Sequence, residues 1–400
     1  GRRLNLNGQV ISMSTEGINW LKLGNVKSTK LTITGGTIKS NVYGGGEYGA
    51  VRGNHMVSTE ALSTEISITG GTIGTEILDT SAPGETKPVV YTYGSVFGGG
   101  TGTTDDVAPT TSVAKADTLG AYVADSTRVT LTNAIVKASV FGGGELAAVG
   151  GSTHVTVSGN TEIGRNEVYG IDEIYKLPNI KNPGYVKYGS WRMGNVYGGG
   201  RGHDKAAIAG VVKGNTNVLI TGGNVYHNVY GGGALGSVGR FYVSGADPSD
   251  GGTPQGNMPT GLPYWTVGQG GASGGNTGIA TVTITGGTIG ISGRDNGLVF
   301  GSSRGDISTP EGVKFTEEEI EAAAGNPASP AYGKTTDDYK YPPIDQYDRV
   351  AWVRGTVVNI GTPGAGRTSP LIKGSVYGGG ENGHNYQNAI VNINSGTIGI

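Results

Sequence analysis

One hexapeptide constrains this chain more than any other feature: [Asn/Ser]-Val-aromatic-Gly-Gly-Gly recurs along nearly its whole length. It first reads Asn41-Val42-Tyr43 followed by Gly44 to Gly46. Val96-Phe97, Val140-Phe141, Val196-Tyr197 and Val229-Tyr230 each precede their own glycine triplet. A degenerate copy, Val299-Phe300, leads into Gly301-Ser302-Ser303, and a last copy carries Val376-Tyr377. A short strand that runs into three glycines cannot bury its apolar side alone. Such a unit becomes stable when copies stack and share a core.

A second motif alternates with the first. It reads Leu31-Thr32-Ile33-Thr34-Gly35-Gly36-Thr37-Ile38 and returns at 66–73, 129–136, 155–163, 218–225, 282–289 and 391–398, with a weaker version near Val357. Alternation along these runs places Ile33, Ile68, Leu131, Val157, Ile220, Ile284 and Ile393 in one inward column. The valines Val42, Val96, Val140, Val196, Val229, Val299 and Val376 form another. The shortest steps between copies are 26 residues (Val129 to Val155) and 33 residues (Asn195 to Asn228), room for three short strands plus bends. The spacing predicts an all-β fold, a right-handed parallel β-helix (β-solenoid) of about eight coils, running as one body over 1–400. The glycine triplets are expected to turn corners that need a left-handed backbone, or a close approach where a Cβ would strike the neighbouring coil.

Composition removes the competing explanations for so much glycine. Gly is 77 of 400 residues, but there is no three-residue period and Pro is only 16, which excludes collagen. Hydrophobic residues reach 35%, arranged in strand-like alternation, which excludes a low-complexity disordered chain. Lys and Arg total 29 against 31 Asp and Glu, so no basic surface of the size nucleic acid requires is expected. There are no cysteines, hence neither disulfides nor thiolate metal sites, and no apolar run long enough to insert in a membrane. The chain opens Gly1-Arg2-Arg3-Leu4 and stops at Ser395 to Ile400, where another Val-aromatic strand is due. It is expected to be a piece of a longer protein, meeting neighbouring coils of the same chain.

Departures from the period mark insertions near 76–94, 101–125, 164–192, 236–280 and 305–350. Loops of this length in a repetitive body usually leave from one side and carry recognition. In the last, Thr316 and Glu319 form a capping box and Gly325 ends the run, predicting one short surface helix near 317–324. The candidate binding residues lie in or beside these insertions. They are Tyr169, Tyr175, Tyr185, Tyr188 and Trp191, then Tyr264 and Trp265, then Tyr339 and Tyr341, with Arg201, His203 and Asp204 after one glycine triplet. Exposed aromatic area beside polar groups suits sugars or proteins.

Other chemistries fit less well. The glycine triplets follow strands without a helix behind them and lack a Lys-Ser/Thr pair, so they do not make a phosphate loop. The residue after the triplet runs Glu47, Thr101, Glu145, Arg201, Ala234, Glu381, which is no regular calcium ladder, although Asp105-Asp106 or Asp337-Asp338 could hold an isolated ion. The histidines His55, His154, His203, His227 and His384 lack metal spacing. Outward Thr pairs such as Thr130 and Thr132 suggest a flat hydroxyl array, but Leu219 and Asn392 break it. A polysaccharide lyase or hydrolase would need paired acids on a rigid wall. The candidates near Arg201 to Lys205, and Glu381 with His384, stand on turns instead.

Through these repeats, over most of 31–400, the sequence resembles the long repetitive surface or secreted proteins of gut and oral Bacteroidota. More broadly it is similar to adhesin-type β-helices such as filamentous-haemagglutinin-like passengers. The resemblance implies an extracellular or outer-surface location and a non-catalytic role as stalk, fibre or adhesin without cofactors. The partners it implies are a host or microbial glycan or protein, or the chain itself in a filament. A carbohydrate-active or glycan-binding β-helix is the alternative.

Overall fold

The computed structural model describes residues 24–79, 89–102, 120–164, 194–203, 209–239, 241–243, 265–267, 277–290, 296–305, 313–341, 350–364 and 369–399. The described chain is all-β, mostly parallel, with almost no helix. Successive copies of the repeat lie on one another as rungs, and their strands align in columns.

The first column stacks Thr29–Ile33, Glu60–Ile68, Ser126–Thr132, Thr153–Ser158, Thr216–Val225, Ile279–Ile289, Gly355–Ile360 and Ala389–Ile393, all parallel. A second column of Thr-Ile-like pairs begins with Thr37–Ile38 and Thr72–Ile73 and ends with Leu371–Ile372 and Thr397–Ile398. The third is a 7-stranded sheet of two-residue strands, Val42–Tyr43, Val96–Phe97, Val140–Phe141, Val196–Tyr197, Val229–Tyr230, Val299–Phe300 and Val376–Tyr377. These seven pairs number the rungs below.

Register matches the alternation read from sequence. Ile33, Ile68, Leu131, Val157, Ile220 and Ile284 face one another and are buried, joined by Ile360, and the valines of the third column close the same core. Ile393 departs from the expectation. It pairs with Ile360 yet is 59% exposed, because no described strand covers its other side. Val376, in the last rung, is only half-buried.

Two further features differ from the expected three-strand repeat. A fourth column of single parallel bridges runs Val26, Val51, Val123, Val149, Val212, Val238, Val353. From Val51 onward these valines are fully buried. The aromatic residues from Phe97 to Phe300 are also buried, Tyr43 is partly buried and Tyr377 is 45% exposed. They stand on the opposite face of their two-residue strands from the core valines and make a second core with Ala234. Their rings stack from Tyr43 through Phe97, Phe141, Tyr197, Tyr230 and Phe300 to Tyr377, with centroids 4.7 to 5.1 Å apart. That spacing is the strand-to-strand distance of the ladder that carries them.

The glycine triplets satisfy half of their expectation. Their backbone is not left-handed; φ-positive glycines stand instead at other bends, among them those before Thr-Ile, such as Gly36 at 84° and Gly71 at 85°. What the triplets need is proximity. A Cβ on Gly98 or Gly142 would fall inside 3.0 Å of a backbone carbonyl in the next rung. The same carbonyls accept a hydroxyl proton from the first column. Thr29, Thr64, Thr127, Thr153, Thr216 and Thr356 donate to Gly44, Gly98, Gly142, Gly198, Gly231 and Gly378 at 2.5 to 2.6 Å.

The insertions leave from corners between columns. Those flanked by Thr75–Asp79 and Val89–Tyr93, or by Gly164 and Gly194, sit between the second and third columns, whereas those after Gly102, His203 and Gly305 sit between the third and fourth. Insertions therefore occur at more than one corner, since any corner can lengthen without breaking a ladder. The short helix is present as Glu317–Ala322, with Thr316 and Glu319 completing the capping box and Gly325 left-handed at 78° just beyond.

Candidate functional site

Most of the aromatic candidates fall outside the described residues: Tyr169, Tyr175, Tyr185, Tyr188, Trp191 and Tyr264, and with them Asp204. Trp265 opens a short strand opposite Val243, and Tyr339 and Tyr341 belong to the strand that pairs with Val313–Lys314. Each thus belongs to an antiparallel pair within an insertion.

Arg201 and Glu381 are described, and both serve the aromatic column. Arg201 is ion-paired with Glu145, whose other oxygen accepts a 2.5 Å hydrogen bond from the Tyr43 hydroxyl. Glu381 likewise accepts from the Tyr230 hydroxyl. Burial above all pushes the Tyr43 and Tyr230 phenols far above their ordinary range, with Glu145 adding to it at Tyr43 and Tyr197 and Glu381 at Tyr230, so both remain protonated donors. The Asn two residues earlier completes each site. Asn41 and Asn228 donate to their own tyrosine hydroxyls at 3.0 Å. His384 stacks on Trp352 with centroids 4.5 Å apart. His203 begins an insertion and is half-buried.

A polar line runs beside the aromatic stack. Asn41 accepts from the Ser95 backbone N–H at 2.9 Å, Ser139 from Asn195 at 3.1 Å, Asn195 from Asn228 at 3.1 Å and Asn228 from Leu298 at 2.9 Å. His227 Nδ1 also meets Asn195 Oδ1 at 2.6 Å. Because that oxygen is an acceptor, His227 must carry its proton on Nδ1. Burial, together with the charge of Arg304, lowers the imidazole to about 4.

The outer face of the first column holds a charged group the sequence reading missed. Lys30, Glu65, Arg128 and His154 are in register on four successive strands. The strand His55–Val57 folds back antiparallel against them. Glu65 binds Lys30 at 3.1 Å and His55 at 3.3 Å; Glu60 binds Arg128 at 2.6 Å and His154 at 2.5 Å. Burial works to raise the Glu65 carboxyl, but hydrogen bonds and charge from Lys30 and His55 outweigh it and hold it below the usual carboxylate range. Lys30, Arg128 and His154 lie tens of positions from their carboxylate partners, so only the register brings them together.

At the other end of that face, a groove of about 570 Å³ is walled by Ile279, Val357 and Ile390 and rimmed by Tyr386, Gln387 and Asn388. Aliphatic side chains interleaved with amide donors and acceptors suit a hydroxyl-bearing ligand. Among the described residues, no group of three or more His, Asp or Glu is placed to hold a metal ion. The Asp337-Asp338 pair is engaged otherwise: Asp337 binds Lys314 at 3.2 Å, and Asp338 accepts from the Thr335 backbone at 2.8 Å. No helix among them is long and apolar enough to cross a membrane. No protein-family model, curated protein or solved structure matches this chain.

Proposed function

We propose that this chain is a stretch of right-handed parallel β-helix from a secreted or cell-surface protein, acting as a non-catalytic stalk, fibre or adhesin. The handedness rests on a general rule: parallel strands joined by a crossover in one sheet are right-handed in about 98% of cases. The carrying observation is the use made of the repeated polar side chains. Glu145, Arg201 and Glu381 recur at one place in the rung and are engaged with one another or with buried tyrosines, as parts of a rod. The variable chemistry lies in the insertions at the corners, a rigid scaffold with loops for contact. The groove at Ile279, Val357 and Ile390 favours a glycan as the partner for a module that binds without cutting.

A glycan-array screen on this chain, followed by a product assay on each hit, tests the reading. Binding without cleavage supports an adhesin; released oligosaccharide sinks the non-catalytic proposal. Absence of binding leaves the stalk or fibre. A crystal structure with a left-handed path would overturn the handedness.

A further inference from the structure

The tyrosine contacts follow a rule that links rungs which are not neighbours. Tyr43, in the first rung, donates to Glu145, which follows the glycine triplet of the third rung, 102 residues on. Tyr230, in the fifth, donates to Glu381 after the seventh triplet, 151 residues on. Tyr197, in the fourth, feels the charge of Arg304, which follows the sixth and is only 7% exposed. All three span two rungs. The same place in the intervening rung holds Thr101 for Tyr43 and Glu145, Ala234 for Tyr197 and Arg304, and Arg304 for Tyr230 and Glu381. Where the ring has no hydroxyl, the partner differs: two rungs beyond Phe141 is Ala234, packed against the rings.

The middle rung is included as well. The Asn that donates to Tyr43 also accepts the Ser95 backbone N–H of the second rung, and Asn228 does the same for Leu298 of the sixth. Each hydroxyl therefore sits at the hub of a network reaching three consecutive rungs.

We propose that these tyrosine hubs make the rungs open in blocks of three. A stack held only by neighbouring ladders opens rung by rung from its ends, since each interface is independent. A buried hydroxyl bonded to a carboxylate two rungs away must be broken before either rung departs, and a hydrogen bond to a charged group is among the stronger ones. The inference concerns the stack alone and holds whether the chain is a stalk or an adhesin.

Native-state hydrogen exchange across a denaturant series reads this directly. Gly44 N–H, bonded to Phe97, and Gly142 N–H, bonded to Tyr197, report the first and third rungs. In the parent they should exchange through one shared opening. Glu145→Ala should raise exchange at Gly44, two rungs away, by about tenfold or more. Tyr43→Phe keeps the ring stack and should do the same, and the double variant should add nothing further. Additive effects, or no change at Gly44 in Glu145→Ala, would overturn the proposal. If Glu145→Ala does not fold because Arg201 loses its ion pair, the Tyr230→Phe and Glu381→Ala cycle decides by the same criteria, read at the Gly231 amide.

Discussion

Single side chains in this protein act through contacts that repeat from rung to rung, so a departure at one position is informative. The Thr that clasps the first glycine carbonyl is replaced once, by Ala280, which is fully buried between Thr216 and Thr356 in register. The carbonyl of Gly301 thereby lacks the hydroxyl its counterparts receive. Ala280→Thr should restore it and raise stability by about 1 kcal/mol, measured as a shift in denaturant midpoint. A loss would mean that the added methyl overpacks Val238 and Val353, which pack with Ala280. His227 is a second such residue. Its value falls from 6.5 to about 4 in the fold, so the fold favours the neutral ring. The stability it contributes is complete above pH 6.5 and is lost as pH falls toward 4, on the order of 3 kcal/mol. Unfolding of the parent and of His227→Gln across that window should show a shallower decline in the variant. Asn precedes Tyr in the first, fourth and fifth rungs and Ser precedes Phe in the second and third, a pattern legible in sequence that the seventh rung breaks with Ser375 and Tyr377. In the first and fifth rungs the Asn donates to the tyrosine hydroxyl at 3.0 Å, a bond Phe cannot accept.

Each strand of two or three residues is too short to stand alone, and what makes it an element is the rung above and below. The glycine triplets show this in a controlled way. A Cβ on Gly143, mid-stack, would lie 2.7 Å from Gly200 N and 2.9 Å from its Cα, whereas one on Gly379, the equivalent glycine of the seventh rung, meets nothing within 4 Å. Gly143→Ala should therefore cost about 3 kcal/mol or more, because backbone cannot move aside. Gly379→Ala should be neutral or stabilising by up to about 1 kcal/mol. Thermal unfolding of the two variants separates an approach constraint from a conformational one, since neither glycine is left-handed. The valine column was the element missed in the sequence. Its signal is present, since Val51, Val149 and Val238 each stand five residues after a glycine triplet. A lone bridge has no alternation to mark it, and insertions displace Val123, Val212 and Val353 from that spacing.

For the molecule as a whole, the stack and its insertions should be separable. Residues 313–341 rise on the antiparallel pair Val313–Lys314 with Tyr339–Tyr341 and enclose their own small core of Phe315, Ala323 and Ala331. Replacing 315–338 by a short turn should change the stability of the stack by less than about 1 kcal/mol, since loop closure depends weakly on length. A larger loss in calorimetry would show that this appendage braces the rungs. The sequence by itself determined the parallel stacking, two inward columns and the capped helix, because periodicity, glycine spacing and capping chemistry act over a few residues. Tertiary structure alone decided the burial of the aromatic stack, the Thr-to-glycine clasps, the outer-face charges at Glu60 and Glu65, and the tyrosine hubs. Those contacts join residues from 10 to 151 positions apart. Unequal insertions make their sequence separation irregular, and only the fixed spacing of rungs in the stack brings them together.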